Sequence, residues 1–264
     1  MLDKKITRLM TAETGRYKTK QPDGMSEIIE DLPLKVTSID TKGKFMWWTL
    51  SGKNKFWYMW CTYGMSGQWS RAAGKHVGFI VEFNDSGALI TRDQQKMFFV
   101  DPRHFGTIKF TTDLKEHQNK LQSLGPDVLD DPPMSPELFA ERILLKPHRT
   151  ITESLMDQRC VSGIGNYLRS EILYECKVNP WRSVTDITSE EYVKLYEATV
   201  RITQSSYKSH GASIKTYRNV DGSAGTSQFN FKVYGCKVCP SEHEITRRQD
   251  GNGRMMHWCA LCQK

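Results

Sequence analysis

The chain has 264 residues, with 37 Lys and Arg against 30 Asp and Glu and a net charge of +7. That length suits two packed regions plus a metal module, and the moderate basic excess favours polyanion binding. The opening MLDKKITRLM holds no apolar run that could be a signal peptide, no stretch of the sequence approaches a membrane span, and the seven cysteines do not form a disulfide framework, so secreted and membrane classes are not expected. A soluble protein of a reducing intracellular compartment, cytoplasm or nucleus, is expected.

Residues 34 to 110 are expected to be mainly strands, because apolar residues alternate in short runs bounded by turn residues. Val77, Phe79, Val81 and Phe83 form one period-2 series, ended by Asn84-Asp85-Ser86-Gly87. A second run, Phe45 to Leu50, follows the turn-like Asp40-Thr41-Lys42-Gly43-Lys44. There Phe45, Trp47 and Thr49 would face one way and Met46, Trp48 and Leu50 the other, as where both faces are covered. An antiparallel β-sandwich over residues 1–120 follows.

After Lys120 the composition turns to proline and aspartate, which suits an extended linker over residues 121–135. Helices follow in a domain of residues 136–231. Ser135-Pro136 has the form of an N-cap with proline at the first helical position, and Thr150 to Glu153 and Thr188 to Glu191 have the form of capping boxes. The second box opens a helix with Tyr192, Leu195, Tyr196, Thr199 and Ile202 on its apolar face. Residues 217–230 are rich in Gly, Ser and Asn and are expected to be a flexible loop.

Residues 232–264 contain Cys236-x2-Cys239 and Cys259-x2-Cys262, separated by 19 residues. Two such knuckles offer four thiolates to one tetrahedral ion, so structural Zn2+ is the expected cofactor, with Cys236, Cys239, Cys259 and Cys262 as ligands. The intervening segment carries Arg247, Arg248 and Arg254 with Gly251 and Gly253, and is expected to form a β-hairpin with a basic tip. A metal-pinned hairpin can set a guanidinium against phosphate, though the same residues suit a solvated charged loop.

In the segment Leu155 to Glu171, Gly163 and Gly165 permit a tight turn between helices. Asn166 begins the next helix, where it can cap free N–H groups and where a positive dipole end favours an anion. An ordinary helical hairpin fits these residues as well.

The same segment closely resembles the helix-two-turn-helix of the formamidopyrimidine-DNA glycosylase and endonuclease VIII family, and Gly165-Asn166-Tyr167-Leu168-Arg169-Ser170-Glu171 leans toward the endonuclease VIII branch. Tyr63-Gly64-Met65-Ser66-Gly67 resembles the loop bearing that family's void-filling methionine. Asp101-Pro102-Arg103-His104-Phe105-Gly106 resembles the loop bearing its void-filling arginine and aromatic. Leu124-Gly125-Pro126-Asp127 resembles its interdomain linker, and the cysteines with Arg254 resemble its zinc finger. The resemblance implies an α+β fold and a monomer that acts in base-excision repair on double-stranded DNA with damaged bases or abasic sites.

By the same resemblance, Lys44 and Arg254 belong to the catalytic set, and Met65, His76, Arg103, Phe105, Asn166 and Arg254 to the DNA-binding set. Lys44 is followed by Phe45, Met46, Trp47 and Trp48, an apolar setting that would lower an ammonium pKa, while a solvated turn lysine is the other reading. Extruding a base costs a few kcal/mol, and Met65, Arg103 and Phe105 are suited to occupy the hole. The family usually begins Met-Pro-Glu-Gly-Pro, whose proline amine forms the Schiff base, whereas this sequence begins Met-Leu-Asp. The resemblance therefore implies that the catalytic N-terminal segment is missing from the chain as given. Glycosylase with abasic-site lyase activity on oxidised bases is expected if the natural protein has that segment, and a catalytically inactive damaged-DNA binder otherwise.

Overall fold

The alternating series Val77, Phe79, Val81 and Phe83 lies on one strand and is buried throughout in the computed structural model, which describes residues 1–13, 15–64, 66–84, 95–209 and 231–264. Met65 and the expected loop 217–230 lie outside the described residues. The described residues divide into two units, residues 1–120 and residues 121–209 with 231–264.

Among the described residues, the first unit contains eight strands: β1 (Lys5–Thr11), β2 (Leu34–Lys42), β3 (Phe45–Ser51), β4 (Phe56–Thr62), β5 (Gln68–Ser70), β6 (Val77–Asn84), β7 (Lys96–Val100) and β8 (Thr107–Thr111). They pair antiparallel in the order β5-β7-β6-β1-β2-β3-β4-β8. Trp48 of β3 meets Trp69 of β5 and Phe83 of β6, and Phe79 of β6 meets Phe110 of β8. None of those strands are hydrogen-bonded neighbours, so the sheet folds over on itself as a sandwich. Leu50, Met59, Phe79 and Phe99 are fully enclosed there, each contributing roughly 1.5–3 kcal/mol by burial. Short helix α1 (Met25–Glu30) adds Met25 and Ile28 to the same core.

The outer face of β3 is covered as well. Helix α2 (Leu114–Gln122) lays His117 on the Tyr58 ring, with centroids 4.1 Å apart, and edge-on to Trp47. Trp60 Nε1 donates to His117 Nδ1 at 3.0 Å, and burial holds the histidine below its ordinary pKa.

The second unit holds α3 (Pro136–Leu144), α4 (Ile151–Met156), α5 (Asn166–Glu175), α6 (Ser189–Lys208) and a hairpin of β9 (Thr246–Gln249) and β10 (Met255–Trp258). Ser135 accepts from Leu138 N–H ahead of Pro136, and both expected capping boxes close, each satisfying otherwise unpaired helix-end donors. Phe139, Ile143, Ile151, Leu155, Ile172 and Leu195 are wholly buried in one core, which Met256 of β10 also enters. Among the described residues, no helix is long and apolar enough to cross a membrane.

Candidate nucleic-acid interface and metal cluster

In the first unit, Asp101 organises the loop that follows β7. Its buried carboxylate accepts from Ser66 Oγ at 2.7 Å, Gly106 N–H at 2.6 Å and Arg103 N–H at 3.3 Å. This turn leaves Phe105 55% exposed, with the Arg103 guanidinium 5.1 Å from its ring centre. Gly64 has φ 57°, and a Cβ there would lie 2.7 Å from Phe105 Cβ, so the two loops pack where a side chain cannot fit. His76, exposed and at φ 69°, lies beside this turn: its carbonyl accepts from Asp101 N–H, and its ring centre is 6.2 Å from that of His104. Lys44 is exposed in the turn between β2 and β3.

In the second unit, a network centred on buried Arg169 and Asp250 joins α5 to the hairpin. Asn166 Nδ2 donates to the Met255 carbonyl at 2.9 Å, and Asn166 Oδ1 accepts from Arg169. Arg169, wholly buried, donates to Asp250 Oδ2 at 2.5 Å and to the Thr152 carbonyl at 3.3 Å. Asp250 Oδ1 in turn accepts the N–H groups of Asn252 and Arg254, each at 2.9 Å, which shapes the tip carrying exposed Arg254. Burial pulls the Arg169 guanidinium below its usual range. It also works against ionised Asp250, but the Arg169 bond and the two tip N–H groups keep that carboxyl below its ordinary value.

The turn before α5 is fixed from within. Gln158 donates to the carbonyls of Met156 and Ile164 and accepts from Gly163 N–H, where Gly163 has φ 102°. Asp157 accepts from Arg159, Arg149 and Lys146, and the Arg159 bond first of all holds its carboxyl far below the usual carboxylate range. Gly165 is the N-cap of α5, and no side chain caps that helix. The positive dipole end of the helix at Asn166 favours an anion.

Close to α5 lies a cluster of metal-ligating atoms: Cys239, His243, Cys259 and Cys262, all within 4.8 Å of one another. Glu171 of α5 accepts the consecutive N–H groups of Lys232, Val233 and Tyr234, setting where this module begins. Burial raises the Cys239 thiol, but hydrogen bonds from the backbone of His243 and Ser241 and from Tyr174 and Cys259 outweigh it and bring it down to about 6. A donor set of thiolates and an imidazole fits a structural zinc site.

Comparison with known proteins agrees with this architecture. Residues 1–108 match the formamidopyrimidine-DNA glycosylase N-terminal domain, and residues 124–218 match the formamidopyrimidine-DNA glycosylase H2TH domain. Formamidopyrimidine-DNA glycosylase of Listeria innocua is 33% identical over 196 residues, covering 72% of this chain and 67% of that protein. The chain belongs to the formamidopyrimidine-DNA glycosylase family. The Bacillus cereus enzyme of that name is 34% identical over 174 residues, covering 65% of this chain and 62% of its own. In fold, the chain matches the crystal structure of MutM (Fpg) from Thermus thermophilus with a TM-score of 0.81 at 24% identity, covering 100% of this chain and 92% of that one. It matches Lactococcus lactis Fpg in complex with abasic-site DNA with a TM-score of 0.80 at 21% identity, covering 100% and 94%.

Within that family frame, several expected site residues take different positions from those read in the sequence. Asn166 is the first residue of α5 and does not cap it, because its side chain is engaged with the hairpin and Arg169. Lys44 is exposed, and the aromatic residues after it in sequence do not enclose it, since successive strand side chains alternate between faces. Cys236 is not in the metal-ligating group; its Sγ lies 3.3 Å from the Phe231 carbonyl, and His243 stands in its place. The signal in the sequence for His243 is the spacing Cys239-x3-His243. Arg169 and Asp250 gave no signal, because 81 residues separate them.

Proposed function

We propose that this chain is a base-excision DNA repair protein that grips duplex DNA at a damaged base or abasic site, with DNA glycosylase and abasic-site lyase activity as its family's chemistry. The observation that carries the reading is the path Asn166–Arg169–Asp250–Arg254, in which the buried Arg169–Asp250 pair links a helix N-terminus to an exposed arginine. Two phosphate-binding groups held in fixed register lose little freedom when they engage a strand. Solved relatives hold DNA containing an abasic site or Fapy-dG, which suits such a grip.

In this reading Asn166, the positive dipole end of α5 and Arg254 bind phosphates. Arg103, Phe105 and Met65 occupy the space of the extruded nucleotide, with the guanidinium addressing the orphaned base and the ring stacking. His76 and Lys44 supply further contacts to the strand, Lys44 as a solvated charge. Zn2+ supplies structural cross-linking alone: held by the Cys/His cluster, it orders the hairpin that carries Arg254.

The test is equilibrium binding of the chain to a duplex with a stable abasic-site analogue and to the same duplex undamaged, across a salt series. Tighter binding to the abasic duplex, weakening steeply with salt, is expected. Asn166→Ala should cost roughly 1.5–3 kcal/mol of affinity, the range for hydrogen bonds to charged groups. Equal affinity for the two duplexes would refute the reading. Borohydride trapping on abasic duplex reports the Schiff-base chemistry separately from binding.

A further inference from the structure

The geometry points to a zinc site made of three thiolates and one imidazole, Cys239, His243, Cys259 and Cys262, with Cys236 left as a thiol outside the coordination sphere. This rests on the reading that the cluster holds zinc, and not on the reading of DNA binding.

Tetrahedral geometry sets the spacing that ligand atoms must have. With Zn–S near 2.3 Å and Zn–N near 2.0–2.1 Å, ligand atoms stand about 3.5–3.8 Å apart along the edges. Cys239 Sγ and Cys262 Sγ are 3.9 Å apart, Cys259 Sγ and His243 Nδ1 3.7 Å, and Cys262 Sγ and His243 Nδ1 3.2 Å. These three of the six edges lie within a few tenths of an ångström of that spacing, all four atoms lie within 4.8 Å of one another, and Nδ1 is the ring nitrogen that lies among the sulfurs.

The backbone explains why His243 reaches the cluster. Cys239 N–H donates to the His243 carbonyl, Glu242 N–H donates to the Cys239 carbonyl, and Glu242 adopts φ 63°, so the chain from 239 to 243 closes as one tight turn. Both turn ends then present their side chains to the same point. The second knuckle is closed similarly, with Gln263 Oε1 accepting from Cys259 N–H at 2.8 Å and Gln263 N–H donating to the Cys259 carbonyl at 3.0 Å.

Cys236 faces elsewhere. Its Sγ lies 3.3 Å from the Phe231 carbonyl and 3.8 Å from that of Tyr234, acceptors to either of which a protonated thiol can donate its one hydrogen and a thiolate cannot. Charge is the chemical consequence. Zn2+ with three thiolates carries −1 where four thiolates would carry −2, so the metal opposes a polyanion less beside the basic hairpin.

Full-length protein loaded with zinc, and separately with Co2+, tests the ligand set through metal content and thiolate-to-cobalt absorption. Cys236→Ser is expected to keep about one metal per chain and an unchanged cobalt spectrum, whereas Cys239→Ser and His243→Ala should lose metal to a chelator at least tenfold faster. Since His243→Ala risks misfolding, His243→Cys provides a second reading: it should retain the metal and intensify the thiolate band, as a fourth sulfur joins. A thiol reagent should modify Cys236 of the loaded protein without releasing zinc. Metal loss from Cys236→Ser matching that from Cys239→Ser, or a His243→Cys band no stronger than wild type, would overturn the assignment. DNA affinity is not among these readouts, so the ligand set can fail while the DNA reading stands.

Discussion

Removing the Asp250 carboxylate should damage both stability and DNA binding, because that one group serves the buried ion pair and the hairpin tip. In Asp250→Ala, Arg169 stays wholly buried and loses its counter-charge. Breaking a buried pair from one side typically costs about 3–5 kcal/mol. Two tip N–H groups lose their acceptor as well, but they stand near solvent and add about 1 kcal/mol at most each. A total of about 3–7 kcal/mol is a large share of the roughly 5–15 kcal/mol that holds a typical domain. Urea unfolding at neutral pH measures it, alongside binding to an abasic duplex. The combined variant Arg169→Met with Asp250→Leu separates charge from packing: apolar replacement of both partners is often nearly neutral, so it should be more stable than Asp250→Ala by about 2 kcal/mol or more. Its DNA affinity should still be weak, since Asn166 has lost the Arg169 donor and the tip its acceptor. A cost below about 1 kcal/mol for Asp250→Ala, or strictly additive single changes, would refute the assignment of the pair as the link between helix and hairpin.

Cys259→Ser should lose zinc and weaken duplex binding together, measured by metal analysis and anisotropy on one preparation, since the hairpin bearing Arg254 depends on the metal. Arg254→Ala should reduce the salt slope of duplex binding by about one unit, the loss of one phosphate contact; an unchanged slope would remove Arg254 from the interface. Phe105→Ala should weaken binding to abasic duplex more than to single-stranded DNA, because a hole exists in the duplex alone, and equal losses would count against the void-filling role. His117 is held below its ordinary pKa, so its stabilising contribution is fully present above the unfolded value near 6.5 and is lost as pH falls from there toward the lower folded value. Thermal melts from about pH 8 to pH 5 should therefore show a decline that His117→Gln flattens.

What the sequence disclosed and what it concealed divide by range. Thr150 with Glu153, Thr188 with Glu191, and Ser135 with Pro136 were readable because a cap satisfies donors within one helical turn. The alternation in β6 was readable because a buried strand face imposes period two. The covering of β3 on both sides was also in the pattern, but not that a histidine from α2 would do it, since His117 is 57 residues from Trp60. At the cysteines the familiar two-residue gap from Cys236 to Cys239 is more conspicuous in sequence than Cys239-x3-His243, which the fold brings into one group with Cys259 and Cys262. Asn166 was placed at the right point in the chain and given the wrong partner, because only the fold brings Met255 to it.

Glu171 has a consequence for the order in which the molecule is assembled. By receiving three successive amides from Lys232 to Tyr234, it brings together points some sixty residues apart before any thiolate need be placed. The cost of closing a loop of that length falls on the carboxylate rather than on the ion. What remains for the metal is a short excursion of chain between its own knuckles, beginning from an anchored end. The zinc affinity of this module is thus partly a property of a helix that contributes no ligand, and Glu171→Gln, which leaves every sulfur in place, would be felt as a weaker grip on the metal.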